Sequence, residues 1–326
     1  MKLTGAVLRL GRREEEQVNG RRRMPQVWAP MSELAGHVGS VSGVAFSPTG
    51  RRLASAGADE TVRIWDPRSR LCVRVLEGHT EPVSAAAFSP DGDLIASTAY
   101  DKTVRLWNPR TGRLQRVLEG HTRAVEDVAF DVSGSLLASA SFDGTVRLWD
   151  SRTGESLGML EGHSAEVAGV AFGCSSNLLA SASWDRTIRL WDPRSGQQLR
   201  VLSGHTSLVN KVAFDFSGNL LASASSDGMV RLWETNTGRC RRVLEGHSDV
   251  VTSVAFNRDG SLLASSGWDR TVRLWEPRTG ASIRVLEGHE QPLRSVAFSP
   301  SGELLASSDI GGKIRLWAVS DAIRLV

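Results

Sequence analysis

With 326 residues, of which 40% are apolar and 23% charged, the chain can bury a substantial core, and no apolar run approaches the roughly 18 residues that a membrane span needs. The net charge of +3 is uneven: residues 1–30 carry seven Lys/Arg against three Glu, so the rest sums to −1 and lacks the basic excess of a nucleic-acid binder. Cys72, Cys174 and Cys240 are odd in number and show no C-x-x-C spacing, which argues against a disulfide framework or zinc site and fits a reducing compartment, cytoplasm or nucleus.

The opening residues Met1 to Leu10 hold too short an apolar run for a secretory signal, and Glu14-Glu15-Glu16 is unlike an acid-poor transit peptide. Residues 1–30 are expected to form a mobile basic leader. Its arginines Arg12, Arg13, Arg21, Arg22 and Arg23 are either simply solvated or make weak contact with an anionic partner.

From Gly36 onward the chain repeats itself. Gly-His recurs at 36–37, 78–79, 120–121, 162–163, 204–205, 246–247 and 288–289, a period of 42 residues, and a tryptophan follows each histidine by 28 residues. A period of about 40 to 45 residues decides the architecture before any other reading. Within the fourth copy, four strand-length runs are separated by turn residues: Val167 to Phe172, Leu178 to Ala182, Thr187 to Trp191 and Gln198 to Leu202. No repeat holds a stretch long enough for a convincing helix. Four antiparallel strands make one small twisted sheet, which must bury its faces against its neighbours. The first and last repeats are as apolar as the middle ones, so the array lacks the polar caps of an open solenoid and is expected to close. Residues 31–326 are therefore expected to form an all-β, seven-bladed β-propeller. For the outer strand of the seventh blade, the segment within Gln26 to Leu34 competes with the tail Ala322 to Val326, and the tail is the favoured choice.

Each copy also places a serine 18 residues after the histidine, and a tryptophan ten after the serine. In six copies an aspartate stands between them, four after the serine; the fourth copy has His163, Ser181, Asp185 and Trp191. This resembles the WD-repeat β-propeller family, over about nine-tenths of the chain. The resemblance implies a hydrogen-bonded tetrad running from Trp to Ser to His to Asp, with a structural role. Physical chemistry agrees: a buried indole N–H needs an acceptor, and Ser, His and Asp complete a satisfied polar chain. The seventh copy departs from the pattern. Gly311 occupies the aspartate position and Asp309 lies two residues away, so His289 is expected to lack its carboxylate and the blade to be less rigid.

Ser, His and Asp together also suggest a hydrolase triad. All seven histidines, however, sit at equivalent positions, and there is no G-x-x-x-x-G-K-[ST] loop and no H-E-x-x-H motif. Neither catalysis nor a cofactor or metal is expected. The seven arginines two residues before each Trp are read as structural, with their stems on blade surface and their heads toward carboxylates.

Residues that break the period are then the candidates for function. The slot before the tetrad Asp holds Tyr100, Phe142, Trp184 and Trp268 in four blades, and Ala58, Ser226 and Ile310 in the others. It falls in the turn between the second and third strands, which the family resemblance places on the top face near the channel. Large aromatics in a turn read as partner contacts, the alternative being packing against the neighbouring turn. The resemblance adds two slots flanking the first-strand valine. There Leu208 and Val250 extend the apolar rim, and Glu126 and Arg294 are placed to orient a peptide. Non-catalytic scaffolding through a bound peptide or protein segment is the expected function. The alternative is a regulatory or substrate-receptor subunit of a larger enzyme assembly.

Overall fold

The computed structural model describes residues 31–175 and 177–319. The basic leader, its arginines and the C-terminal tail fall outside these residues. Within them, twenty-eight strands form seven antiparallel four-stranded sheets, arranged as the blades of a β-propeller. Blade four comprises Val167–Phe172, Leu179–Ser183, Thr187–Trp191 and Gln198–Ser203, within a residue of the predicted runs at each end.

The sequence pattern explains why blades must stack. In Thr187–Trp191 the residues Ile188, Leu190 and Trp191 are buried, and the second strand, Leu179–Ser183, is buried throughout. A sheet so apolar on both faces needs cover on both. The core accordingly lies between blades. Ala180, Ile188, Leu190 and Leu202 of blade four pack on Val209, Leu221 and Trp233 of blade five, and the same cluster recurs around the ring. Val41, Val44, Leu53 and Trp65 meet Leu34, Ala306, Ile314 and Leu316, which joins blade one to blade seven and closes the circle. Val44 N–H also donates to Ser295 Oγ across that junction at 3.3 Å.

Closure uses the N-terminal strand, which corrects the choice of the tail. Ser32–Ala35 pairs antiparallel with Lys313–Ala318, Glu33 standing opposite Arg315 and Leu34 opposite Ile314. Two features select this segment. Leu34 precedes Gly36 by two residues, as Leu76 precedes Gly78, and both leucines are 1% exposed. Glu33 meets Arg315 Nη2 at 3.4 Å and Lys313 Nζ at 3.6 Å.

The seventh blade also corrects the expectation of a missing carboxylate. Asp309 ends the second strand, and its Oδ2 lies 2.6 Å from His289 Nδ1, while Oδ1 accepts from the backbone N–H groups of Gly311 and Lys313. The carboxylate thus reaches the same imidazole from two residues earlier in the chain. With that bond made, the argument for a looser blade falls away.

Candidate functional site

The Trp, Ser and His of the tetrad keep one arrangement throughout the ring, and a carboxylate completes it in each blade. In blade four, Trp191 Nε1–H donates to Ser181 Oγ at 2.9 Å, and His163 Nε2 lies 2.8 Å from the same hydroxyl. His163 Nδ1 lies 2.8 Å from Asp185 Oδ2. A carboxylate only accepts, so Nδ1 carries the proton and Nε2 accepts from the serine. Burial alone would raise the Asp185 pKa, but hydrogen bonds from His163 and Thr187 outweigh it and hold the carboxyl well below the usual range. Ser181 is fully buried, so no substrate carbonyl can approach its hydroxyl. The arginines two residues before the Trp do reach carboxylates in several blades: Arg231 Nη1 meets Asp227 Oδ2 at 2.8 Å, and Arg63 Nη2 meets Asp59 Oδ2 at 3.4 Å.

The same turns fix the top face. In every blade the N–H of the slot before the tetrad Asp donates to the carbonyl of the residue preceding the inner strand. Tyr100 pairs with Pro82, Phe142 with Ala124, Trp184 with Glu166 and Trp268 with Val250, at 2.9–3.0 Å. The tetrad Asp then caps the bend, as Asp101 Oδ1 does for Thr103 N–H at 3.0 Å. Lys102 and Gly144, next in their turns, take positive φ of 70° and 85° to complete it. Backbone bonds therefore aim the aromatic side chains, and no core contact is needed to hold them there.

The second flanking slot is a β-bulge. Register shifts between Val125 and Asp127, leaving Glu126 unpaired, and the equivalent shift isolates Ser84, Asn210, Thr252 and Arg294. A bulge re-aims its side chain. Where the bulged residue is a hydrogen-bond donor of short reach, it ties neighbouring blades: Ser84 Oγ donates to Val125 O at 2.5 Å, Asn210 Nδ2 to Val251 O at 2.9 Å and Thr252 Oγ1 to Leu293 O at 3.1 Å. Glu126 has no proton to give such a carbonyl when ionised, and it faces the channel mouth instead.

These elements enclose a cavity of about 550 Å³ at the top of the channel. Tyr100, Phe142, Trp184, Trp268, Leu208, Val250, Glu126 and Arg294 all line it, whereas Ile310, 42% exposed, does not. Three of the aromatics form a row. Tyr100 and Phe142 have ring centroids 6.0 Å apart, and Phe142 and Trp184 are 4.8 Å apart. Packing between neighbouring turns therefore holds for these three, while Trp268 stands apart beyond Ser226 and is 44% exposed. The Trp184 indole N–H and Glu126 Oε2 are buried, and neither has a hydrogen-bond partner among the described residues.

Charge at the cavity floor comes from the inner strands of three blades, not one. Glu126 Oε1 lies 3.8 Å from Arg294 Nη2, across the channel from blade three to blade seven. Asp127 Oδ1 pairs with Lys211 Nζ of blade five at 2.6 Å, and its Oδ2 accepts from Val170 N–H at 2.9 Å. Burial pushes the Glu126 carboxyl up to about 7, with Arg294, Lys211 and a hydrogen bond from Tyr100 pulling it back and Asp127 adding to the rise. The Asp127–Lys211 pair escaped sequence reasoning. Its signal lay in the inner-strand position that reads Gly43, Ala85, Asp127, Gly169, Lys211, Ser253 and Ser295, where two opposite charges interrupt small residues.

Comparison with known proteins bears on this geometry. Seven segments match the family model described as WD domain, G-beta repeat, at residues 28–66, 70–108, 112–150, 154–192, 196–234, 238–276 and 280–318. A 36-residue stretch, 11% of this chain, is 67% identical to human Striatin-4, and the mouse protein matches equally. The match spans 5% of either relative.

Proposed function

The chain belongs to the WD-repeat (G-beta repeat) family, and from that premise we propose that it is a non-catalytic interaction scaffold whose top cavity takes an extended segment of a protein partner. One observation carries the reading. Eight candidate residues, four aromatics that break the repeat and four in the slots the family resemblance supplies, line a single cavity, with two buried hydrogen-bonding atoms, Trp184 Nε1 and Glu126 Oε2, that the described residues do not satisfy. Buried polar atoms left unpaired cost roughly 1–3 kcal/mol each, which a ligand with a matching acceptor and donor would recover. A peptide backbone offers both. Aromatic walls contribute apolar contact at low entropic cost, and the seven buried tetrads are committed to the scaffold, leaving their serines no nucleophilic role.

Selection of peptides from a displayed library against the intact chain tests this. Selected peptides are expected to lose at least about tenfold in affinity to the double variant Trp184→Ala, Trp268→Ala. The reading fails if selection yields nothing above background, or if the variant binds the selected peptides as tightly as the parent.

A further inference from the structure

Another break in the period lies on the outer rim, away from the top cavity. In the outer strands, the residue two before the buried leucine is Arg74, Arg116, Arg200, Arg242 and Arg284 in blades one, two, four, five and six. In blade three it is Gly158, and in blade seven Ser32. Three of these arginines, Arg116, Arg200 and Arg242, latch one blade to the next. Arg116 donates to the carbonyl of Arg152 from Nε at 2.9 Å and Nη2 at 2.5 Å. Arg242 does the same to Arg278, at 3.2 and 2.9 Å, and Arg200 Nη2 reaches the carbonyl of Asn236 at 2.5 Å. Every acceptor follows its donor by 36 residues.

Counting 36 residues on from Gly158 gives Arg194, in the turn of blade four, to which blade three sends no arginine. The turn glycines record the gap independently. A Cβ built on Gly154, Gly238 or Gly280 would meet the Cδ of Arg116, Arg200 or Arg242 at 2.9, 3.4 and 3.0 Å. Among the described residues, on Gly196 it would meet only Leu160, and on Gly158 nothing within 4 Å. A cavity of about 940 Å³ opens here between Leu157, Met159 and Leu160 of blade three and the Pro193–Gly196 turn of blade four.

We propose that this vacated latch is a docking socket for an arginine side chain of a protein partner. Its guanidinium would take the Arg194 carbonyl, and its stem would lie on Leu160 and Gly196, as the chain's own arginines do in neighbouring blades. The planar fork presents Nε–H and Nη2–H together to one carbonyl, which an ammonium does not match. The positive charge of Arg194 itself is no bar, since Arg152 and Arg278 hold the same position in turns that do accept an arginine. Ser156–Leu160 is also the outer edge strand of its sheet, so an extended partner segment carrying the arginine has backbone groups to pair with. Neither the observation nor the socket depends on the reading of the top face.

The probe is the capped peptide Leu-Arg-Val-Leu, which copies residues 199–202, titrated into the whole chain with backbone resonances followed by NMR. Shifts are expected in residues 156–160 and 193–196, with affinity at least about tenfold weaker when the arginine is replaced by lysine. Gly158→Arg is expected to fold, to fill its own socket and to abolish those shifts, whereas Gly158→Ala keeps the socket open and binds within about threefold of the parent. Absence of shifts at about 10 mM peptide, undiminished binding by Gly158→Arg or to the lysine peptide, or failure of Gly158→Arg to fold would each overturn the proposal. A dimer that Gly158→Arg dissolves would put a second copy's arginine in the socket and overturn its assignment to a partner.

Discussion

Ser181 accepts from an indole and donates to an imidazole, so its hydroxyl serves two buried neighbours at once. Replacing it with Ala strands both, at roughly 1–3 kcal/mol apiece, and Ser181→Ala is expected to lose about 2–5 kcal/mol in urea denaturation. Trp268→Ala removes a ring that is 44% exposed and held by backbone bonds, so its cost is expected to stay below about 1 kcal/mol in the same assay. Glu126 behaves oppositely to an ordinary surface carboxylate. Its pKa rises from 4.5 to about 7 on folding, so the folded state binds the extra proton between those values. The resulting stability is fully present below pH 4.5 and is lost as pH rises through 7. Glu126→Gln is therefore expected to exceed the parent in stability at pH 8 by up to about 3 kcal/mol, the gap shrinking toward pH 5. Denaturant midpoints at the two pH values check it; a gap that widens on acidification would contradict the burial argument.

At the scale of the element, the strands of each blade were legible because alternating burial and turn residues recur in register, and repetition averages away local ambiguity. The closing strand was harder. Ala322 to Val326 has the composition of an outer strand, and composition alone does not separate it from Ser32–Ala35. Spacing does: Leu34 stands where the repeat demands its buried leucine, and Glu33 faces Arg315. Leu34→Ala is expected to cost about 2–4 kcal/mol and to speed amide exchange across Lys313–Ala318 more than in the other blades. Asp309 illustrates a second limit. A motif read by position treats Gly311 as a loss, whereas a side chain off the end of the preceding strand reaches the same nitrogen at 2.6 Å. The bulge residues show a third, since the chemistry of the side chain decides whether that slot ties two blades, as in Asn210, or faces the channel, as in Glu126.

Across the whole molecule, the tetrads act together with pH. Asp59, Asp101, Asp143, Asp185, Asp227, Asp269 and Asp309 are all lowered on folding, despite the upward push of burial, because each accepts hydrogen bonds, foremost from Thr61 for Asp59 and from the histidine for the other six. Their contribution is present above pH 4 and is lost as pH falls through the depressed values. Burial also lowers His37, His205 and His289, which favours their neutral form and takes stability away below about pH 6.5. The seven carboxylates outweigh the opposing Glu126, so the ring is expected to unfold cooperatively on acidification below about pH 4, as far-ultraviolet circular dichroism would record. The central claim is that the periodic residues build the ring and the residues that break the period bind. Indole N–H resonances test it most directly, because the tetrad indoles and those of Trp184 and Trp268 report separately. On titration with a selected peptide, the signals of Trp184 and Trp268 are expected to move while Trp65, Trp107, Trp149, Trp191, Trp233, Trp275 and Trp317 stay in place. Binding that leaves Trp184 and Trp268 unmoved would contradict the account.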